Sequence, residues 1–547
     1  MAESEKVGVA SVKDQEAQRN ETADEAELAK LGYKQELKRD LTLLQNFGVS
    51  FSIISIITGI PSLFFFGLTT GGPAVMVWGW IVVSAFTLCV GAAMAEICSA
   101  HPTSGGPYFW SAKLSTPSQA PLAAWITGWF NLIGQVAVTT GISFACATFL
   151  STTIAIGTSA YEPNPKTVIG IYAAVLTAQG LINTFGVHLL KYFNNISIWW
   201  HAFGTSALVI SVLAKAKTHQ TAKFVFTEFY DGTGWAAHAG NGYVICIGIL
   251  IAQYTLTGFD ASAHMTEETT NAATAGSWGI IMSIGVSAVL GWFLILGLLF
   301  SIQDYEATIG AATGQPVAQI IIDAVGPDAA IALMVIIVVA MFFCGTFSIT
   351  SNSRMMYAFS RDGALPASSF FHKVDVKRKS PIRTVWLACT LSFILALPSL
   401  GSTVAFAAAT SIATIGLYIS YGIPILLRVL GRKRFVKGPW HLGKFSILIS
   451  TLAVVWIALI AILFILPQVY PVTSQTLNYS IVAVGIVMAY AMGTWLLSAR
   501  KWFEGPRRQI ALAELGIDVM EPGAVEKARA EGKLDKLEKE NEAEPAT

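Results

Sequence analysis

Residues 47–68 form an apolar run that is long enough to cross a bilayer, yet residues 55–62, with Gly59 and Pro61 at their centre, interrupt it. A helix rises about 1.5 Å per residue, so this run would span the roughly 30 Å of hydrocarbon. An interior proline removes a backbone donor and clashes with the preceding turn, which costs about 3 kcal/mol. Because lipid cannot satisfy the freed backbone groups, the break must face protein or a water-filled cavity.

A second apolar run, residues 241–262, is interrupted in the same way by residues 253–260. Two broken helices at corresponding positions of two halves are the best sequence-level indication of a transporter substrate site. The alternative is a tolerated kink at each place, since glycine and proline are common in membrane helices. For the pair, a substrate site is the favoured interpretation.

The composition indicates a polytopic membrane protein, because 54% of the residues are apolar and only 13% are charged. The predicted fold class is all-α with twelve transmembrane helices. The predicted spans are residues 47–68, 74–97, 122–155, 167–187, 196–214, 241–262, 277–302, 329–357, 383–400, 403–429, 444–467 and 476–498.

The distribution of lysine and arginine predicts that both termini are cytosolic. The predicted domains are a cytosolic tail at 1–45, a twelve-helix unit at 46–498 and a cytosolic tail at 499–547. Spans one to five and six to ten can be overlaid as inverted repeats, about 47–214 and 241–429, with peripheral helices at 444–498. Residues 31–41 place leucines among charges, which favours a short interfacial helix or a solvated linker.

Five segments carry a family resemblance: LGYK at 31–34, AEICSAHPTSGGPYFW at 95–110, GFDASAHMTEET at 258–269, SRMMYAFSRDGALP at 353–366 and IATIGLYISY at 412–421. The second resembles the hallmark cytoplasmic loop of amino acid permeases of the amino acid–polyamine–organocation (APC) superfamily. Together the five resemble its mainly fungal branch of GABA and choline permeases. The resemblance implies the LeuT fold, with substrate held where helices one and six unwind.

One departure from the family pattern bears on the substrate. Ile57, Thr58 and Gly59 stand where the commoner pattern is Gly-Ser-Gly. A substrate with a carboxylate placed differently from that of an α-amino acid, or with none, is therefore more plausible.

A zwitterionic substrate needs donors for its carboxylate and acceptors for its ammonium. We expect the N-termini of the half-helices, at Gly59–Ile60 and Gly258–Phe259, to offer unpaired N–H groups. Gln135 is either a further ligand or an inter-helix contact, and the resemblance implies that Tyr254 is an aromatic gate, with simple packing as the alternative. The predicted substrate-binding residues are Thr58, Gly59, Ile60, Gln135, Tyr254, Thr257, Gly258, Phe259 and Asp260.

Ionisable residues inside a membrane are functional candidates by default. Asp260 could receive a substrate ammonium or a proton, or could cap the second half of helix six. His201 in span five is the candidate for proton coupling, because histidine titrates closest to physiological pH; sodium bound near span-eight hydroxyls is the alternative. A cytosolic gate is predicted from Glu267, Glu268, Arg354 and Arg361.

These features predict a secondary active permease for GABA or related amino acids, coupled to protons and working by alternating access. The alternatives are a choline or other organic-cation permease and a transporter-like nutrient receptor. No enzyme signature and no metal-ligand cluster is present, so we expect no cofactor. The expected partners are a small-molecule substrate, protons and the lipid bilayer, without nucleic acid. The expected location is the plasma membrane of a fungal cell, or its vacuolar membrane.

Overall fold

The computed structural model describes residues 23–31, 33, 35–158, 160–375, 377–378, 380–401 and 405–506. Across these residues the chain forms helices and their connections, with no β-strand, so the predicted all-α class is confirmed. Most of the two predicted tails, residues 1–22 and 507–547, lies outside the described residues.

Twelve helical segments follow the predicted spans closely, and we number them span 1 to span 12. Eleven of them, within the described residues, are long and apolar enough to cross a membrane. Span 6 is shorter because the second break ends its first part at Thr255. The spans are Leu43–Ser62, Gly72–Ala100, Ala120–Gly157, Pro165–Phe185, Leu190–Lys215, Asn241–Thr255 with Ala261–His264, Ala272–Phe300, Pro327–Arg361, Ile382–Ala396, Ala405–Leu430, Ser446–Leu463 and Ser480–Leu497.

The two interrupted spans, 1 and 6, lie side by side in the interior. Asn46 Nδ2 donates to the carbonyl of Ser262 at 3.0 Å, and Ser50 Oγ donates to the carbonyl of Phe259 at 3.0 Å. Span 3 is the most buried span, whereas span 12 is the least, with 17% of its apolar window inside the protein. The site is therefore surrounded by protein, and span 12 lies at the periphery.

One end of the bundle carries Arg354, Arg361 and Arg428, and we call it the basic end. The chain crosses this end before span 1 as an extended segment, which we call the strap (residues 35–41). Residues 23–30 are helical, but the strap is not, so the interfacial helix predicted for residues 31–41 is wrong.

The strap is extended because its backbone bonds to span 6 and the following turn. Leu41 N–H donates to the carbonyl of Glu268 at 2.9 Å, and Thr270 N–H donates to the carbonyl of Leu41 at 2.9 Å. The Leu37 side chain is 3% exposed, so the alternative of a solvated linker is wrong as well. The alternation of leucines and charges instead reflects a strap with one face against the protein.

Candidate functional site

The break in span 1 lies at Ser55, which has φ 20° and ψ 83° and separates Leu43–Ile54 from Ile56–Ser62. The prediction that the second half-helix begins at Gly59–Ile60 is therefore wrong by about one turn. Gly59 N–H already donates to the carbonyl of Ser55 at 3.0 Å, which closes the first turn of that half-helix. The free donors of the half-helix are instead the N–H groups of Ile56 and Ile57, which bond to no described residue.

Gly59 has a different reason to be glycine. A Cβ at this position would lie 2.5 Å from Thr255 Oγ1 on span 6, closer than any real Cβ contact. Pro61 lies inside the short half-helix, which ends one residue later at Ser62. The glycine thus allows the two interrupted helices to touch.

The break in span 6 covers residues 256–260, between Leu250–Thr255 and Ala261–His264. Gly258 has φ +103°, a conformation that side chains strongly disfavour, as the sequence predicts for a backbone break. The N–H groups of Gly258, Phe259 and Asp260 bond to no described residue. The second predicted cluster of free donors is therefore present in the structure.

A small cavity lies between the two breaks. Its volume is about 10 Å³, room for about one water, so the site is closed. Thr58, Gly59, Tyr254 and Thr257 line it as predicted, whereas Ile60, Gln135, Gly258, Phe259 and Asp260 do not. The lining residues are Ile53, Ile54, Ser55, Thr58, Gly59, Val138, Ile142, Tyr254, Thr255 and Thr257.

Tyr254 lines this cavity beside span 3, and a second cavity lies further along span 3, toward the end opposite the basic end. The Tyr254 hydroxyl packs on span 3, where a Cβ at Gly141 would lie 2.5 Å from it. The second cavity, about 160 Å³, begins at the next turn of span 3 with Phe144 and Ala145 and reaches Gln315. The ring therefore lies against the part of span 3 that leads from the central cavity to the second one.

Asp260 is fully buried and does not cap span 6, because its side chain makes no bond to the following turn. Its Oδ2 accepts from Gln135 Nε2 at 2.8 Å and from Asn131 Nδ2 at 3.3 Å. His264 Nε2 lies 3.3 Å from the same oxygen. Gln135 is therefore an inter-helix contact to Asp260 in this closed structure, and Asp260 lies outside the cavity.

His201 reaches the break in span 1. Its Nε2 lies 2.8 Å from Ser55 Oγ, and its Nδ1 lies 2.8 Å from the carbonyl of Ser197. A carbonyl only accepts, so Nδ1 carries the proton and Nε2 of the neutral ring accepts from Ser55. Ser55 Oγ also lies 2.6 Å from Thr58 Oγ1. The predicted coupling residue is thus joined to the candidate site through one hydroxyl.

Of the three span-eight hydroxyls that would favour sodium, those of Ser348 and Thr350 bond to other spans, whereas Ser351 Oγ is buried without a partner among the described residues. Ser348 Oγ lies 2.8 Å from Thr139 Oγ1, and Thr350 Oγ1 donates to Asn183 Oδ1 at 2.6 Å.

Phe259, a predicted ligand, packs edge-on to Tyr418, with ring centroids 6.2 Å apart. The Phe259 ring is buried against span 10, so only the backbone of this residue is available at the break.

Two ion pairs close the basic end below the site. Glu268 Oε1 lies 2.7 Å from Arg354 Nε, and Glu267 Oε1 lies 3.3 Å from Arg361 Nη2. Ser104 donates to Glu267 Oε1 through its N–H at 3.0 Å and its hydroxyl at 2.7 Å. Burial alone would raise the pKa of Glu267, but Arg361 and Ser104 outweigh it and lower that pKa. Glu267 therefore stays ionised at neutral pH.

A cavity of about 350 Å³ opens at the basic end beside these ion pairs. Span 1 contributes Val49, span 5 contributes Asn194, and span 8 contributes Phe347 and Thr350. Glu268, which pairs with Arg354, also lines it. The narrow central cavity thus lies between larger cavities toward the two ends of the bundle.

Sequence reasoning did not single out four polar residues at or beside the site: Ser55 and Thr255, which line the cavity, and Asn131 and His264, which contact Asp260. Two signals were available, since Asn131 precedes Gln135 by four residues and His264 follows Asp260 by four. Residues four apart share one face of a helix, so each pair could have been recognised. Ser55 carried no such signal, because its conformation depends on tertiary contacts.

The similarity to known proteins extends over nearly the whole helical unit. A family model described as amino acid permease matches residues 41–488. An amino-acid permease BAT1 homolog of Oryza sativa is 49% identical, covering 88% of this chain and 95% of its own length. Amino-acid permease BAT1 of Arabidopsis thaliana is 46% identical over the same shares. An uncharacterized amino-acid permease of Schizosaccharomyces pombe is 33% identical, covering 88% of this chain and 90% of its own length.

Proposed function

This chain belongs to the amino acid permease family and transports amino acids rather than acting as an enzyme, and we propose that it is a proton-coupled permease for GABA or a related amino acid. The proposal rests on one observation: the two helix breaks meet around a small cavity, and backbone N–H groups at both breaks bond to no described residue. The APC-type family, implied by the motifs, is confirmed by these relatives.

Alternating access is supported by the order in which three cavities lie along the bundle. The central cavity of about 10 Å³ lies between one of about 160 Å³ and one of about 350 Å³ at the basic end. Tyr254 closes one side, and the ion pairs of Glu267 and Glu268 close the other. Opening either side in turn would expose the same central site.

The groups at the site favour a zwitterion over choline. The free N–H groups of Ile56 and Ile57, at a positive helix end, suit a carboxylate, which choline lacks. A choline site would use an aromatic cage, but Tyr254 is the one aromatic residue among the lining residues that are described. The hydroxyls of Ser55, Thr58 and Thr257 complete a polar wall.

His201 provides a route from proton binding to the site. The neutral ring accepts from Ser55 Oγ; a protonated ring would donate instead, so the Ser55 hydroxyl would have to turn toward another acceptor. Ser55 is also the hinge residue of span 1 and a lining residue of the cavity. Protonation of His201 would thereby change the hydrogen bonding at the break itself.

Uptake by the full chain in liposomes tests the proposal. An imposed proton gradient should drive accumulation of labelled GABA or a competing amino acid, and a sodium gradient alone should not. Accumulation that follows sodium and ignores protons would contradict the coupling. Uptake of choline but not of amino acids would contradict the substrate, and binding without accumulation would indicate a receptor.

A further inference from the structure

His264 and Asp260 form a buried pair that the mechanism above does not use. Both side chains are 0% exposed, and His264 Nε2 lies 3.3 Å from Asp260 Oδ2. On the other side of the ring, His264 Nδ1 lies 2.8 Å from the carbonyl oxygen of Ser104. Nδ1 is therefore hydrogen-bonded, whereas Nε2 is buried without a hydrogen bond to any described residue and has Asp260 Oδ2 as its neighbouring oxygen.

The contacts of the two ring nitrogens indicate how many protons His264 and Asp260 hold between them. A neutral imidazole has one N–H and one lone pair. If Nδ1 donates to Ser104, the Nε2 lone pair faces the Asp260 carboxylate; in the other tautomer a lone pair faces the Ser104 carbonyl. Either arrangement leaves two acceptors in repulsion, and an ionised Asp260 would be a buried charge without a cation. One proton added to the neutral imidazole and the ionised carboxylate removes both the repulsion between acceptors and the unpaired buried charge.

We propose that Asp260 and His264 together hold one extra proton in the closed structure, between Nε2 and Oδ2. Gln135 and Asn131 also donate to Oδ2, so this oxygen is held in place for the proton. Oδ1 has no hydrogen-bond partner among the described residues, although it is buried. The pair is thus a proton site separate from His201.

The surroundings leave this pair as the local place for a proton. From span 10, Tyr418 and Tyr421 face Asp260; the Tyr421 hydroxyl is close enough to interact with this carboxyl, and neither phenol has a positive charge. Within the described residues, no Lys, Arg or other His lies at ion-pair distance from Asp260. Glu267 shares Ser104 with His264, but Arg361 already pairs with it.

Ser104 links this proton to the basic end. It accepts from His264 at its carbonyl and donates to Glu267 through its N–H and hydroxyl. The loop is shaped to the ring: Gly106 has φ +52°, and a Cβ there would lie 3.0 Å from His264 Cε1. Loss of the proton would restore the repulsion and loosen Ser104, so proton release would favour opening. This last step rests on the proposed proton coupling.

Magic-angle-spinning NMR on the full chain in liposomes tests the proton site directly. With ¹⁵N-histidine and ¹³Cγ-aspartate, the dipolar coupling between the two labels identifies His264 in the wild-type protein without a variant. We expect either an imidazolium or a neutral ring beside a protonated carboxyl, and Asp260→Asn should remove the carboxyl signal in the second case. A neutral ring beside an ionised carboxylate at about pH 6–7 would overturn the proposal.

Transport then tests the link to the basic end. His264→Gln should flatten the pH dependence of uptake between about pH 5 and pH 8, whereas His219→Gln, an exposed loop histidine, should not. An unchanged profile in a folded His264→Gln protein would overturn the link. If wild-type uptake ignores proton gradients, the proposed function fails, but the NMR result still decides whether the pair holds the proton.

Discussion

Gly59 is glycine because span 6 leaves no room for a side chain. Gly59→Ala would place Cβ 2.5 Å from Thr255 Oγ1, so the two interrupted helices must move apart. Overpacking of this kind costs about 1–3 kcal/mol, which corresponds to a loss of roughly fivefold or more in transport. Uptake and thermal stability of the purified variant measure the two effects.

Gly285→Ala is the matched control for Gly59, because nothing lies within 4 Å of a Cβ at that position of span 7. It should keep wild-type transport. Equal uptake by both alanine variants would show that the contact between the breaks does not matter for transport.

Tyr254 allows a separate prediction at the same scale. Its ring lines the central cavity beside span 3, and no hydrogen bond of its hydroxyl to a described residue is present. Tyr254→Phe should therefore keep most uptake, whereas Tyr254→Ala should lose it because the ring area closes the path. Similar uptake in all three proteins would indicate that the ring only packs.

His201 should control the pH dependence without holding the substrate. Its ring touches Ser55 but does not line the cavity. His201→Gln should flatten the response of uptake to external pH while leaving substrate affinity within about threefold, because an amide does not titrate in this range. Uptake at several external pH values and equilibrium binding separate the two. A retained pH response would pass the coupling role to Asp260 and His264.

At the scale of elements, the predicted positions of the spans are accurate, but the break in span 1 lies at Ser55, the first residue of the predicted stretch 55–62, and not at Gly59 and Pro61. Length and apolarity determine where a helix can cross a membrane, and both can be read from the chain. The break depends on contacts that the chain does not reveal locally. Gly59 and Pro61 both fit inside the second half-helix, while Ser55, an ordinary residue in sequence, bonds to His201 and takes the unusual conformation.

The strap shows the same limit. Leucines among charges at residues 31–41 have the spacing of an interfacial helix. The structure forms an extended segment because the backbone of Leu41 pairs with Glu268 and Thr270 instead of with its own chain. Tertiary hydrogen bonds thus override a local helical pattern.

The strap should hold the basic end closed. Arg39 Nη1 donates to the carbonyls of Thr266 and Thr269, at 3.1 and 2.5 Å, and Arg39 is 8% exposed. Arg39→Ala would leave the Thr269 carbonyl without a described donor, at a cost of about 1–3 kcal/mol, whereas the Thr266 carbonyl would keep the N–H of Thr269. Hydrogen exchange in residues 35–41 and 266–270 should become faster.

The neighbouring Lys38 is the control for Arg39. Its side chain is 69% exposed and pairs with Asp40, an interaction that contributes little at a surface. Lys38→Ala should leave exchange unchanged. If the two variants exchange alike, the strap does not hold the gate through Arg39.

At the scale of the whole molecule, the gate pairs and the histidines have different roles. The lowered pKa of Glu267 means that its pairing contributes stability above its ordinary pKa of about 4.5, and this is lost only as pH falls through the lower folded value. The pair is therefore intact at neutral pH and does not sense a physiological proton gradient. A pH response near neutrality must come from other groups, such as His201 or the Asp260–His264 pair.

Removing one gate charge should shift the molecule toward opening at the basic end. Arg354 is fully buried, so Glu268→Gln would leave its charge without a carboxylate. Breaking a buried pair in this way costs about 3–5 kcal/mol, and each 1.4 kcal/mol shifts an equilibrium about tenfold. Hydrogen exchange in residues 260–270 should therefore be faster by roughly tenfold or more.

The control is Glu306→Gln, which changes an exposed carboxylate beyond the opposite end of the bundle. If exchange in residues 260–270 is the same in both variants, the Glu268–Arg354 pair does not keep this end closed, and closure must depend on the strap and Glu267.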